Sequence, residues 1–253
     1  MIKQWINRFT WALLLYLIFL IATLPANLVV TQDKIGKQAK LGNVSGSIWS
    51  GKIDAVLVNN ILIKDVKWQF NFLQLLTAKA GVDLEFGSKR KILEPQGTGQ
   101  VAYGFSGILI SDWQSSFPSE LITQNIRLPI KASASGLVKL TVAEAQLGQP
   151  VCSVLSGEIN WLNASVNAMK SQIDYGDIKA ALSCDKGALV AKVSGNQDVL
   201  DLTATAKYQG GNKYSLIGQV AAGDKADAVL VNTLSLLGNK NSQGKYLINL
   251  SSG

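Results

Sequence analysis

Hydrophobic and polar residues alternate with a period of two over most of the chain from Leu41 onward. This spacing places the apolar side chains of each short run on one face of a strand and the polar side chains on the other. Such strands are typical of an antiparallel sheet with one buried face. The sequence therefore predicts a mainly β fold built on one large, mostly antiparallel sheet. The clearest apolar runs are Val66, Trp68 and Phe70; Val82, Leu84 and Phe86; Val101, Tyr103 and Phe105; Val138, Leu140 and Val142; Ile178, Ala180 and Leu182; Leu189, Ala191 and Val193; Leu202, Ala204, Ala206 and Tyr208; and Tyr246, Ile248 and Leu250.

Glycine-rich segments between these runs predict turns, among them Gly97-Thr98-Gly99 and Gly210-Gly211-Asn212. Helical signals are few, and they predict short helices over residues 71–80, 118–124 and 226–237. Parallel strands need a crossover connection of a dozen or more residues, usually a helix. Because these helices are too short to supply such crossovers repeatedly, the sequence argues against a doubly wound fold.

An uncharged segment near the amino terminus extends over residues 9–32. Its length is sufficient to cross about 30 Å of hydrocarbon, which needs roughly 20 residues. We therefore expect a short basic tail over residues 1–10, a transmembrane helix over 11–30 and one large domain over 31–253.

The alternative is a signal peptide that is removed, because a basic start followed by an apolar run fits both structures. Cleavage requires small residues at the −3 and −1 positions. Cleavage after Ala26 would place Leu24 at −3, and cleavage after Ala22 would place Leu20 there. The sequence therefore favours a retained anchor.

A weak internal repeat relates the two parts of the large domain. A Ser-Gly pair followed by an apolar residue and a tryptophan occurs at Gly46 and Trp49, and again at Gly157 and Trp161. The separation of roughly 110 residues suggests two similar half-sheets. The predicted halves are residues 41–124 and 137–253.

The residue types present exclude several classes of enzyme. The 253 residues contain no histidine, which excludes Ser-His-Asp and Cys-His nucleophile pairs and every metal site with an imidazole ligand. Gly97 and Gly99 lack the third glycine and the following helix of a phosphate-binding loop. Asp83 and Glu85 share the polar face of one strand, where we expect water to keep both ionised. The sequence therefore predicts a protein that is not an enzyme, without catalytic residues, cofactor or metal.

The positive charge of the chain is small and scattered. It contains 24 basic and 17 acidic residues, and setting aside Lys3 and Arg8 in the basic tail leaves a net charge of +5 for the rest. Nucleic-acid binding requires a basic stripe with interleaved aromatic residues, and none is visible, so no nucleic-acid partner is expected. The tight cluster Lys89-Arg90-Lys91 is interpreted as a solvated loop, with contact to anionic lipid headgroups as the alternative.

Only two cysteines occur, Cys152 and Cys184, which is the smallest number that can form an internal disulfide. If the large domain lies outside the cytoplasm, a disulfide between them is the default expectation. The alternative is two buried free thiols that act as small apolar side chains.

The order of these features resembles the protein N family of the bacterial type II secretion system. The resemblance covers nearly the whole chain and depends on spacing and small residues rather than on one decisive motif. A proline that is common in the family shortly after the position of Trp68 is absent here, where Asn71 or Phe72 stands instead. The positions that carry the resemblance are Gly46, Trp49, Gly51, Trp68, Gly157 and Trp161, together with Gly148-Gln-Pro150-Val-Cys152, Ala180-Ala-Leu182-Ser-Cys184-Asp185 and Leu234-Ser-Leu-Leu237-Gly238.

The resemblance implies a single-pass protein of the bacterial inner membrane, with a cytoplasmic tail and with most of the chain in the periplasm. It implies a structural or assembly role in the export of folded proteins across the outer membrane, with other inner-membrane or periplasmic secretion components as partners. By the same resemblance, Cys152 and Cys184 are the periplasmic disulfide of the family, and the glycine and tryptophan positions are structural.

The family is also similar to AsmA-like proteins, whose curved sheets form apolar troughs. This similarity implies that the sheet is curved, and it supplies an alternative function, the binding or transfer of lipid along the apolar face.

Overall fold

Fourteen strands in the described residues form one antiparallel sheet, which is the body of the protein. The computed structural model describes residues 2–30, 39–88, 90–125, 132–148, 150–168 and 171–252, with side chains described from Arg8 onward. Within these residues β3 to β14 follow one another in chain order across the sheet, and β1 and β2 both pair with β3. The predicted mainly β, antiparallel fold is therefore confirmed.

The strands are long in the middle of the sheet and short at its first edge. Their bounds are β1 Ala39–Leu41, β2 Val44–Gly46, β3 Ser50–Val58, β4 Ile61–Asn71, β5 Ala80–Phe86, β6 Gln96–Gly104, β7 Gly107–Pro118, β8 Ala132–Leu147, β9 Cys152–Ala168, β10 Ser171–Asp185, β11 Ala188–Ser194, β12 Leu200–Gly210, β13 Lys213–Ala222 and β14 Tyr246–Ser252.

In the described part of the chain five helical segments accompany the sheet, and the three predicted short helices are all found with tighter bounds. The Asn71 side chain accepts a hydrogen bond from the Leu73 amide at the start of the 3₁₀ helix, and the Asp227 side chain accepts one from the Leu230 amide at the start of α4. The bounds are α1 Ile2–Ala22, α2 Ala26–Val29, the 3₁₀ helix Phe72–Thr77, α3 Glu120–Thr123 and α4 Ala228–Ser235.

The amino-terminal helix does not have the bounds that the sequence suggested. Helix α1 begins at Ile2 and ends at Ala22, whereas a helix was expected over residues 11–30. Pro25 breaks the apolar run, because proline cannot donate to a helical carbonyl, and it pairs with Ser47 instead. No helix within the described residues is long and apolar enough to span a membrane.

The strand register separates the two faces of the sheet. One continuous row of paired positions crosses from β4 to β14, and most of its side chains are polar. We call the face that carries this row the polar face. Its members in order are Lys67, Glu85, Thr98, Gln114, Thr141, Glu158, Ala181, Lys192, Thr205, Ile217 and Asn249.

The opposite side, which we call the apolar face, carries the residues that the period-two pattern assigned to the buried side. Every strand from β3 to β14 contributes to it. One representative from each is Ile53, Val66, Leu84, Val101, Ile110, Val142, Ile159, Ala180, Ala191, Ala204, Leu216 and Ile248.

Helix α4 covers part of the apolar face and forms the main core with it. Leu230 is 0% exposed and Leu234 is buried, and both pack against the sheet. The buried sheet residues of this cluster are Ile173, Leu200, Val220 and Tyr246. Because these residues lie toward one end of their strands, the core occupies one end of the apolar face.

The predicted turn at Gly97-Thr98-Gly99 is wrong, because these residues lie inside β6. The two glycines make room for aromatic rings on the apolar face. A Cβ on Gly97 would lie 2.6 Å from Cζ of Phe86, and one on Gly99 would lie 2.6 Å from Cε3 of Trp113. The ring centroids of Phe86 and Trp113 are 6.1 Å apart, so the two glycines leave space for this aromatic pair against β6.

Candidate functional site: the open end of the sheet and the polar clefts

Successive turns of an antiparallel meander lie at alternate ends of the sheet. One end, which we call the capped end, carries α3 and α4. The other end, which we call the open end, carries connections whose described residues contain no α-helix between strands of the sheet. The connections at the open end are residues 47–49, 72–79, 105–106, 148–151, 186–187 and 211–212.

Helix α1 is attached to the sheet at the open end. The Trp49 indole Nε1 donates a hydrogen bond of 3.0 Å to the Ile21 carbonyl at the end of α1. The Ile48 amide donates one of 3.1 Å to the Leu24 carbonyl. Trp49, one of the tryptophans that carry the family resemblance, therefore joins the helix to the first strands of the sheet.

The neighbouring motif residues support this attachment. Gly46 has a φ of +89°, and a Cβ there would lie 2.5 Å from the Ser50 carbonyl oxygen, so a side chain would strain the turn. A Cβ on Gly51 would overlap the ring of Trp68. The Trp68 Nε1 in turn donates to the Ile48 carbonyl at 3.2 Å. Gly46, Gly51 and Trp68 together stabilise the turn over residues 47–49, which contacts the end of α1.

An aromatic cluster extends the attachment toward the 3₁₀ helix. The ring of Trp49 lies 5.1 Å from that of Phe70 and 5.2 Å from that of Phe72, and the two phenylalanine rings are 5.0 Å apart. These separations are within the range of favourable aromatic pairs. The cluster therefore links α1, β4 and the 3₁₀ helix.

Loss of the Trp49 hydrogen bond gives a testable result. Trp49→Phe keeps an aromatic ring in the cluster but removes the donor to Ile21, so we expect a loss of about 1 kcal/mol of stability. The Ile48 amide should exchange with deuterium faster because its partner segment is less firmly held. Trp113→Phe is the control, since the Trp113 Nε1 donates only to Ser115 within β7. Unchanged exchange at Ile48 in Trp49→Phe would contradict the proposed attachment.

The second copy of the glycine and tryptophan motif has a different environment. Trp161 lies inside β9, six strands along the sheet from β3, and its Nε1 donates to the Ser135 carbonyl at 3.1 Å. A Cβ on Gly157 would lie 2.7 Å from the Thr141 carbonyl oxygen. The division into half-repeats stays a prediction, and the sheet itself continues through both.

Cys152 and Cys184 form a disulfide with a Cα separation of 6.0 Å. Cys152 opens β9 and Cys184 lies near the end of β10, so the bond is located at the open end. Cys152 is completely buried. A Cβ on Gly187 would lie 2.5 Å from Cδ of Pro150, which shows how closely the two neighbouring turns pack. The disulfide therefore fixes the turns in the middle of the open end.

The polar face contains two clefts of about 470 Å³ each. The first is lined by residues that include Lys52, Lys67 and Asp83, and the second by residues that include Gln96 and Lys139. Asp83 Oδ1 and Gln96 Oε1 are buried without a hydrogen-bond partner in the described part of the chain. Asp83 is thus less fully solvated than the sequence suggested.

One group of ion pairs lies on β3 and β4 at the first cleft, and another joins β4 to the connection between β5 and β6. Lys52 lies 3.1 Å from Asp65 and 3.2 Å from Asp54, and hydrogen bonds to these two carboxylates raise the pKa of Lys52. Lys64 lies 3.0 Å from Glu94, and this hydrogen bond lowers the pKa of Glu94. Within the described residues no group of three or more possible metal ligands is found.

The Glu94 pair predicts a simple pH response. Because the pKa of Glu94 is lowered in the folded chain, its stabilising effect is present above the unfolded pKa and is lost as the pH falls through the folded pKa. Lys64→Met should move the pKa of Glu94 back toward its ordinary value, as measured by carboxyl ¹³C NMR titration. Lys91→Met is the control with a smaller expected effect, because Lys91 lies farther away at 3.4 Å. An equal effect of both variants would contradict this assignment.

Sequence reasoning missed the apolar side chains that project from the open end. Phe105 was assigned to the buried face of a strand, but it lies in the turn between β6 and β7 and is 100% exposed. The signal was present, since Gly104 and Gly107 flank it and Gly107 has a φ of +99°. The 3₁₀ helix adds Phe72, Leu73, Leu75 and Leu76, which are also exposed.

A match to a known protein family covers most of the described sheet. The family model described as type II secretion system protein N matches residues 37–249, which includes β1 to β13 and the first part of β14. The chain belongs to the type II secretion system protein N family. The resemblance read from the sequence is therefore confirmed.

Curated members of the protein N family match along nearly their whole length. The protein N of Aeromonas hydrophila is 26% identical over 238 residues, with 92% of each chain covered. That of Pectobacterium carotovorum subsp. carotovorum is 25% identical, with 93% of this chain and 92% of the relative covered. That of Vibrio cholerae is 22% identical, with 89% of each covered. No solved structure matches.

Proposed function

We propose that this protein N family member is a structural component of the type II secretion system. Helix α1 holds it in the bacterial inner membrane, and the sheet contacts other secretion components in the periplasm during export of folded proteins across the outer membrane. The observation that carries the proposal is the family match, which covers the whole body of the sheet rather than one motif.

Membrane attachment is supported by the side chains of α1. The helix is apolar all round from Trp11 to Ala22, and its large side chains from Phe9 to Ile21 are exposed. A helix that is apolar on every side is stable only when protein or lipid surrounds it. In the described part of the chain the last turn of α1 contacts the sheet through Trp49. The exposed side chains of the preceding turns are therefore available for contact with lipid.

A periplasmic location of the sheet is supported by the disulfide. Disulfides persist in oxidising compartments such as the bacterial periplasm and are rare in the cytoplasm. Cys152 is buried and its bond fixes two neighbouring turns, which is typical of a structural disulfide rather than a redox-active one.

A contact role, rather than catalysis, is supported by the polar face. It presents charged side chains and two clefts lined by groups such as Lys67, Asp83, Gln96 and Lys139. Groups of this kind make the hydrogen bonds and charge contacts of protein interfaces, which are often wet and only moderately apolar. The polar clefts are therefore the surface that we assign to partner proteins.

Co-purification tests the partner assignment. A tagged full-length chain is expressed from its own promoter, cross-linked in living cells and purified from solubilised membranes. We expect inner-membrane components of the secretion system to be enriched, and Lys67→Glu combined with Lys139→Glu to reduce that enrichment. The control is Lys192→Glu, which reverses a charge on β11, away from the residues that line both clefts. Absence of every secretion component after cross-linking would contradict the proposal.

Lipid binding by the apolar face is the second candidate function. It is favoured by one observation: α4 packs at one end of the apolar face, while Tyr208, Tyr214 and Leu250 at the other end are exposed. Native mass spectrometry of the full chain released from detergent tests it. Phospholipid that stays bound and is lost in Leu216→Glu would support a lipid trough, and a chain that never carries lipid argues against it.

A further inference from the structure

We infer that the open end of the sheet rests on the surface of the membrane that holds α1, with the 3₁₀ helix and the turn between β6 and β7 inserted among the phospholipid headgroups. This inference rests on the proposed membrane attachment of α1. It assigns a partner, an anionic phospholipid surface, to apolar side chains that have no role in the fold.

The first observation is the exposure of these side chains. Leu76 is 85% exposed and Phe105 is 100% exposed, and Leu73 is similarly open. Each is a large apolar side chain in a connection rather than on a strand face, so none contributes to the packing of the sheet. Apolar groups that project together from one surface mark a site of membrane or protein contact.

The second observation places these side chains beside the end of α1. The Trp49 indole binds the Ile21 carbonyl, and the ring of Trp49 packs 5.2 Å from that of Phe72. One residue therefore connects the end of the lipid-facing helix to the start of the 3₁₀ helix. A membrane that surrounds α1 must then pass close to the 3₁₀ helix.

The third observation joins the two parts of the patch. A Cβ on Gly104 would lie 3.3 Å from Cγ of Lys79 and 3.9 Å from the Ala78 carbonyl oxygen. The end of β6, from which Phe105 projects, is therefore packed against the residues that follow the 3₁₀ helix. The turn that carries Phe105 therefore lies beside the segment that follows the 3₁₀ helix.

The fourth observation is the sign of the charge along the open end. Lys79, Lys186 and Lys213 form no ion pair within the described part of the chain, whereas Asp185 is paired with Lys207 at 3.3 Å. Among the described residues in these connections or directly beside them, the charged side chains without an ion pair are therefore positive. Basic groups beside inserted apolar side chains favour an anionic lipid surface over a neutral one.

The test measures the depth of single positions in the full chain reconstituted into vesicles of phosphatidylethanolamine and phosphatidylglycerol. A keto amino acid replaces Leu76 or Phe105 and carries a nitroxide, so the disulfide is left intact. The matched control is Leu93, a leucine that is 82% exposed but lies in the connection between β5 and β6 at the capped end. Collision of each label with oxygen and with a water-soluble nickel chelate is measured by electron paramagnetic resonance.

We expect the labels at positions 76 and 105 to collide with the nickel chelate several-fold less often than the label at position 93, and to collide more often with oxygen. Adding 1 M salt or replacing phosphatidylglycerol with phosphatidylcholine should reduce the difference, because the basic groups then contribute less.

Three outcomes would overturn the inference, and the first two separate it from the proposed attachment. If the chain floats with the vesicles but positions 76 and 105 are as accessible to the chelate as position 93, α1 is attached and the open end does not touch the membrane. If the chain does not float, membrane attachment and the inference are both wrong. Shielding in native membranes but not in lipid vesicles would assign the patch to a partner protein instead.

Discussion

Replacing Leu230 with alanine will lower the free energy of unfolding by roughly 3–5 kcal/mol. Leu230 is 0% exposed and is the side chain through which α4 packs on the buried cluster of β10, β12, β13 and β14. The substitution removes the buried groups and leaves a cavity between a helix and a sheet, which can close only in part. Urea unfolding of the full chain, followed by circular dichroism, measures the effect.

The control for this prediction is Leu236→Ala. Leu236 lies at the carboxyl-terminal cap of the same helix but is 82% exposed, so its loss should change stability by less than about 0.5 kcal/mol. A cost below about 1 kcal/mol for Leu230→Ala would mean that α4 does not form the core described here.

Loss of the disulfide is the second large effect that we expect. Replacing Cys152 and Cys184 together with serine should lower stability by roughly 2–4 kcal/mol. The bond joins residues separated by 32 positions, and opening that loop raises the conformational entropy of the unfolded chain. The chain-entropy model gives up to about 3.7 kcal/mol for a loop of this length.

A reductant provides the matched comparison for the disulfide. Dithiothreitol should lower the stability of the natural chain by a similar amount and should have no effect on the double serine variant. Equal stability of the oxidised and reduced chains would show that the bond adds nothing to the fold.

The sheet was largely predictable from sequence because its two faces differ in polarity. The period-two runs correctly place Val66, Val142 and Ala204 on one face, since each side of a strand has one environment throughout. The same rule failed at Phe105. The alternation of apolar and polar residues in β6 continues to Phe105, although the strand itself ends at Gly104. Only the flanking Gly104 and Gly107 indicate that the chain turns at this point.

The glycines in β6 show a second limit of local reasoning. A Gly-Thr-Gly segment is typical of a turn, but Gly97 and Gly99 lie in a strand. The rings of Phe86 and Trp113 on the neighbouring strands occupy the positions that a Cβ on each glycine would take. These partners are distant in sequence, so composition within one segment cannot reveal the contact. Tertiary packing decides the role of each glycine.

The open end could be predicted only in part. Trp49 was identified as a motif position, but its contact with the Ile21 carbonyl depends on how the chain turns at Pro25. At the capped end, the pairing of Lys64 in β4 with Glu94 in the connection between β5 and β6 likewise joins residues 30 positions apart. Side-chain contacts of this kind follow from the register of the sheet, which the sequence pattern does not specify.

The most direct test of the central claim is a secretion assay in the bacterium that encodes the chain. The gene is deleted, and the activity of an exported enzyme is measured in the medium and in the periplasm. A structural component of type II secretion predicts that activity falls in the medium and accumulates in the periplasm, and that the natural chain or Leu236→Ala restores export while Leu230→Ala restores it less well. Unchanged activity in the medium after deletion would contradict the claim.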